Sequence, residues 1–274
     1  MEPFIECLGD NEWQFVFPPD IENEKVNNKY CQALEFLDYD DIAAERIFKE
    51  LLNKHPYYID AYNHLSIAFK NQKKRFESYL TAEKAYVLGK SCFPKQFKFG
   101  KDKLRWSFLE NRPFLRACHT FGLECQDKKE YDRALELYRE ILSINKDDHQ
   151  GIRYLVLECL FAQRNFIQAE EFLKSYQKER SLEFLFGNAI IEVLKHNNSK
   201  ALEILKDGIK QNPFVLEEIK KDKHVAPPPF RLTGEPYFDA GNPVGSVQEA
   251  FEYWTRNKKV LNIKEVREFF LSIN

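Results

Sequence analysis

Alanine recurs in this chain at a spacing that constrains the fold more than any other feature. Ala134 is followed after 35 residues by Ala169, and that after 32 by Ala201. Ala44 stands in the same local setting. The window "DYDDIAAERIFKELLNKHP" holds Tyr39, Ala44, Phe48, Leu51 and Pro56, and "EYDRALELYREILSINKD" holds Tyr131, Ala134, Tyr138 and Ile141. "NFIQAEEFLKSY" gives Ala169, Leu173 and Tyr176, and "SKALEILKDGIKQNP" gives Ala201, Leu205, Gly208 and Pro213. Apolar residues three and four apart mark the buried stripe of a helix. A period in the thirties marks a repeated supersecondary unit that buries its core only by stacking on its neighbours.

Each of these helices follows a first helix: "VNNKYCQALEFL", "FLRACHTFGLEC", "GIRYLVLECL" and "LEFLFGNAIIEVL", with "DAYNHLSIAF" opening a further unit after Pro56. Ser66, Gly122 and Ala189 are small residues at one point of their first helices, where two antiparallel helices can approach closely. The pattern is similar to the tetratricopeptide repeat, a helix–turn–helix unit of about 34 residues, over roughly residues 25–215. The match is best in 115–148, with Phe121, Gly122, Tyr131, Ala134 and Tyr138 in place. Lys146 departs from it where Pro56 conforms, Ser78 replaces alanine in the 59–93 unit, and 149–181 needs one inserted residue. The expected fold is all-α, a right-handed superhelix of tetratricopeptide-like hairpins with a short helical C-terminal cap. "ENRPFLRA", "QGIRY" and the aromatic "EAFEYW" also look like a family of bacterial tetratricopeptide-repeat proteins with no assigned reaction.

The bulk numbers exclude several classes. Lys and Arg total 41 against 43 Asp and Glu, a net charge of −2, without the basic excess of a general nucleic-acid binder. With 24 Phe and 13 Tyr the composition is that of a folded chain, not a disordered one. Apolar runs fall short of the roughly 18 residues of a membrane span, and the acidic "MEPFIECLGDNEWQFVFPPD" is not ordered as a signal peptide. The six cysteines show no C-x-x-C spacing and mostly fall on apolar helical positions, which suits a reducing cytosol. A cytoplasmic location is expected.

Five segments are expected: an extended arm or cap over 1–24, repeats over 25–215 with an insert at about 88–111, an end helix at 216–223, a proline-rich loop at 224–245, and closing helices over 246–274. Ser246 with Glu249 reads as a capping box, and Asn262 with Glu265 as a similar start. The insert interleaves Lys90, Lys95, Lys98, Lys101, Lys103 and Arg105 with Phe93, Phe97, Phe99 and Trp106. Such interleaving suits single-stranded nucleic acid, or a surface whose aromatics pack inward while its lysines stay wet.

No histidine pair has zinc spacing, and neither a G-x-S-x-G nor a phosphate-cradling glycine motif occurs. No catalytic residues, metal or cofactor are therefore assigned. The repeat resemblance instead implies that the second, fifth, ninth and twelfth positions of first helices face a groove. These are Asp60, Asn63, Ile67 and Lys70, then Arg116, His119, Leu123 and Gln126, then Gln150, Arg153, Leu157 and Leu160. Arg112 shares a helix face with Arg116, and both lie early in a helix, where the macrodipole disfavours cations. Asn111 is the expected N-cap and Pro113 suits the first turn. Asn63, Lys70, Arg112, Arg116, His119, Gln150 and Arg153 form the candidate groove, and converging arginines suit a carboxylate or phosphate. Glu110, Asp148 and Glu158 offer the competing possibility of structural bridges.

The function expected is a non-enzymatic scaffold or adaptor that binds an acidic protein segment or a chain terminus. The alternatives are a nucleic-acid-associated protein using 90–106, and an enzyme with its site under the 224–245 loop. The lysine–asparagine pattern with which some repeat domains clamp a chaperone's C-terminal carboxylate is absent at His119, Leu123, Asn63 and Ile67.

Overall fold

A hairpin stands within 1–24, where the sequence suggests an extended arm or cap. The computed structural model describes residues 1–230 and 241–273. They fall into two units, Met1–Val156 and Leu157–Asn274. The first unit opens with β1 (Phe4–Gly9) and β2 (Glu12–Val16), antiparallel, with Ile5 opposite Phe15 and Cys7 opposite Trp13. Asp10 and Asn11 turn the corner at φ 49° and 61°, the left-handed conformation that short polar side chains tolerate in two-residue turns.

The hairpin is anchored on the insert. Phe15, fully buried, meets Phe93 at 5.9 Å and Phe114 at 5.6 Å between ring centroids, and Trp13 meets Phe97 at 5.5 Å. Arg105 donates to Glu12 at 2.7 Å, and Lys90 pairs with Glu140. Lys95, Lys98 and Lys101 are exposed while Phe97 is buried. Phe93 stacks inward as well, so the rings that nucleic-acid bases would need are mostly occupied by the protein itself.

The helices of this unit are α1 (Glu24–Phe36), α2 (Asp41–Lys54), α3 (Ile59–Asn71), α4 (Arg75–Ser91), α5 (Arg112–Asp127) and α6 (Tyr131–Ile144), with a 3-10 turn at Leu109–Asn111 leading into α5. They pair as hairpins, α1 with α2, α3 with α4 and α5 with α6, and α3 also lies against α5. Ala44 and Ala134 are fully buried, as is Ser78, whose hydroxyl donates to the Ser66 carbonyl at 2.9 Å. The degenerate repeat thus keeps the close approach of its helices with a hydrogen bond. At Gly122 a β-carbon would stand 2.3 Å from the Tyr138 ring, so only glycine allows that crossing.

α7 (Ile152–Ala162) runs across the boundary between the units. The second unit continues with α8 (Phe166–Ser175), α9 (Leu182–Leu194), α10 (Asn198–Gln211), α11 (Pro213–Lys220), α12 (Val247–Leu261) and α13 (Lys264–Ser272). Lys73, Lys129, Arg164 and His196 each take a φ near 60° just after a first helix. The N–H of the residue after each returns to the carbonyls of Phe69, Cys125, Leu160 and Glu192 respectively. This is a Schellman closure built without glycine, and from Lys129 onward it repeats at the spacing of the alanines.

Both closing helices pack on Phe186 of α9, with Tyr253 at 5.2 Å and Phe270 at 6.0 Å between centroids. The caps differ in part from expectation. Ser246 accepts from the Glu249 N–H at 3.1 Å, but the Glu249 carboxylate takes the Gly245 N–H and Asn212 rather than closing the box. Asn262 ends α12, and Ile263 stands at the start of α13. The end helix starts at Pro213, three residues before the expected 216. Of the 224–245 loop, on which the enzyme alternative depends, residues 231–240 lie outside the described residues. His224 stacks on Trp254 at 3.5 Å.

Candidate functional site

Arg116 obtains its counter-charge from the preceding repeat. The first turn of α5 contains no acidic residue, so nothing local offsets two arginines there. Asp60, in the first turn of α3, supplies what is missing: Arg116 Nε donates to its Oδ1 at 2.9 Å and Nη2 to its Oδ2, a two-pronged charge-assisted pair. Asp60 is only 7% exposed, and its position early in α3 is favoured by that helix's own dipole. Asn63, one turn on, donates to Asp60 at 3.1 Å and to the Pro113 carbonyl at 2.9 Å, while its own Oδ1 is buried without a partner.

Aromatic groups enclose this pair. The His64 Nδ1 lies 2.8 Å from the Asp60 carbonyl and 2.9 Å from the Tyr30 hydroxyl. A carbonyl only accepts, so Nδ1 carries the proton. Burial, and after it the Asp60 carboxylate, push the Tyr30 and Tyr58 phenols far above their usual range. Burial also lowers the His64 pKa, against the opposing pull of Asp60. A depressed histidine is protonated in the unfolded chain before it is in the folded one. Stability is therefore lost as pH falls through the unfolded value near 6.5. Urea unfolding at pH 7.5 and 5.5 should show wild type losing more stability than His64→Gln, by up to about 1.4 kcal/mol per pH unit.

Beside the pair lies a cavity of about 260 Å³. Phe17, Ile21 and Glu22 come from the segment after the hairpin, Asn27 and Tyr30 from α1, Tyr58 and Asp60 from the head of α3, and Leu109, Glu110 and Pro113 from the entry to α5.

The expected groove residues have distinct fates. Lys70 pairs with Glu124 at 3.1 Å and Asp127 at 2.7 Å. Arg112 stacks over Trp106 at 5.1 Å and donates to its carbonyl, not to Glu110. Arg153 is held by Asp148 at 2.9 Å and lies over Tyr154 at 4.2 Å. Gln150 precedes α7, donates to the Leu115 carbonyl at 3.3 Å and leaves its Oε1 buried without a partner. His119 is half-buried one turn beyond Arg116, while Leu157 and Leu160 are buried. The structure thus gathers Asp60, Asn63 and Arg116 at one place and ties Arg153 to its own loop. Asn111 holds the N-cap position of α5 as expected, but its side chain makes no capping bond: it accepts from Phe15 N–H at 3.0 Å and donates to the Trp13 and Arg105 carbonyls at 3.1 Å each.

The model of the family described as transcriptional repressor TCF25 matches residues 13–273, nearly the whole chain. The chain belongs to the TCF25 family. No curated protein matches it. Among solved structures, this TCF25-family chain is similar to a tetratricopeptide repeat protein from Parabacteroides merdae, at 18% identity and a TM-score of 0.52, covering 69% of this chain and 67% of that one. It is also similar to a Podosopora anserina putative kinesin light chain with nearly identical TPR-like repeats, at 13% identity and a TM-score of 0.52, covering 68% and 94%. These likenesses support the all-α helical-hairpin fold.

Sequence reasoning did not find Phe17, Ile21, Glu22, Tyr30, Tyr58 or Leu109 as lining residues. Three of them belong to the segment after the hairpin, whose docking is a tertiary event. A signal did exist for the central pair: Asp60 and Arg116 occupy the same second position in adjacent units and carry opposite charges.

Proposed function

We propose that this TCF25-family protein is a non-enzymatic scaffold that binds a protein segment on the first-helix face of its amino-terminal unit. The carrying observation is the cavity where α1, α3 and the entry to α5 meet, at the positions through which helical-hairpin repeats meet their ligands. The preference for an acidic segment, expected from the arginines, loses support because Arg116, Arg153 and Lys70 are each met by a carboxylate of the chain. The inward packing of Phe93 and Phe97 weighs against nucleic acid at 90–106. The family description makes a transcription-related process the natural setting for such a scaffold.

The test is a photo-crosslinking residue at Leu109, which is 63% exposed at the cavity, against one at Phe76, 66% exposed on α4. Crosslinks in cells to a discrete protein from Leu109 and not from Phe76 are expected. Nucleic-acid adducts, or equal yields from both positions, would overturn the reading.

A further inference from the structure

Resting on that scaffold reading, we propose that the cavity beside Asp60 takes a single basic side chain, lysine or arginine, from the bound protein. Size is the first argument. At about 260 Å³ the cavity is smaller than the roughly 300–1,000 Å³ of sites that enclose a drug-sized ligand or cofactor, yet adequate for one long side chain. Charge is the second. The lining contains three carboxylates, Glu22, Asp60 and Glu110, and no lysine, arginine or histidine. Asp60 is already balanced by Arg116. Among the described residues, neither Glu22 nor Glu110 has a hydrogen-bond or ion-pair partner for its side chain. An acidic ligand would meet uncompensated like charges there, whereas a cation would find two unengaged counter-ions.

The walls provide the third argument. Phe17, Tyr30 and Tyr58 present aromatic surface, and Ile21, Leu109 and Pro113 aliphatic surface. A lysine or arginine needs both, an apolar channel for its methylene stem and aromatic faces or carboxylates for its head. The sign of the ligand is thus opposite to the one that the arginines alone suggest. Arg116 acts as a positioning residue, holding Asp60 and the mouth of α5 in place.

The test follows the Ile21 δ1-methyl resonance of the full chain while n-butylguanidinium, n-butylammonium or butyrate is added. Saturable shifts are expected with both cations and not with butyrate. Glu22→Gln combined with Glu110→Gln should weaken cation binding on the order of tenfold, the scale of a partly desolvated charge pair. The variant should melt with wild type, since neither carboxylate supports the fold. Leu109→Trp, which fills the mouth, is a second variant and should abolish the shift. Equal shifts with butyrate, no saturable shift with either cation, or cation binding unchanged in both variants would overturn the inference. If Leu109 still crosslinks a protein when the cations fail, the scaffold reading stands and the basic side chain is excluded. If the cations bind and no protein is captured, the scaffold reading falls instead.

Discussion

Asn111→Leu is expected to lower the unfolding free energy by about 2–5 kcal/mol, because it leaves the buried Phe15 N–H and Trp13 carbonyl unpaired at about 1–3 kcal/mol each, while the Arg105 carbonyl keeps the Phe108 N–H. The Asn111 side chain is fully buried and serves the Phe15 N–H and the Trp13 and Arg105 carbonyls together. Leucine matches its branching and none of its bonds. Wild-type Asn111 therefore joins the outer edge of β2 to the turn that starts α5, and the variant should release the hairpin first. Urea unfolding monitored by tryptophan fluorescence reads this directly, since Trp13 and Trp106 flank the junction. Limited proteolysis should cut between Gly9 and Glu12 in the variant well before wild type. Asn111→Asp keeps an acceptor for Phe15 but loses both donations, so it too should be destabilised. If Asn111→Leu unfolds within about 1 kcal/mol of wild type, Asn111 does not lock the hairpin.

That residue also shows where the sequence was legible. Asparagine before Arg-Pro satisfies a local rule for a helix start, and the helix does start there. The side chain is drawn elsewhere because β2 arrives with unpaired edge groups, which no local rule foresees. Asn262 fails as a cap in a similar way, one residue short of the start of α13. The repeats were readable because their determinants are local: Ala44, Ala134, Ala169 and Ala201 are all fully buried, and the stripe around each lies within one helix. The hairpin was readable in principle. "GDN" separates two alternating segments, "FIECL" and "EWQFV", but the flanking Pro3, Pro18 and Pro19 suit an extended arm equally well. Of the ion pairs, Arg153 with Asp148 spans five residues and was anticipated as a possible bridge. Arg116 with Asp60 spans 56, so its partner depended on the stacking of one repeat on the next.

Arg116→Ala is expected to cost about 2–3 kcal/mol. Removing one partner from a buried ion pair costs about 3–5 kcal/mol, and the guanidinium is discounted because its side chain remains 34% exposed. The penalty is mostly that of Asp60, left buried with only Asn63 to satisfy it. Asp60→Asn combined with Arg116→Met should therefore cost less than the sum of the single changes, with a coupling of about 1–3 kcal/mol in urea unfolding. A near-zero coupling would mean that the two side chains do not act as a pair. The same measurement bears on ligand choice. Both ends of the Arg116 fork are directed at a carboxylate that is part of the fold, and a ligand carboxylate would have to displace a partner held permanently in place. The more strongly the two residues couple, the less attraction Arg116 retains for acidic segments, and the more the unengaged Glu22 and Glu110 determine what binds beside it.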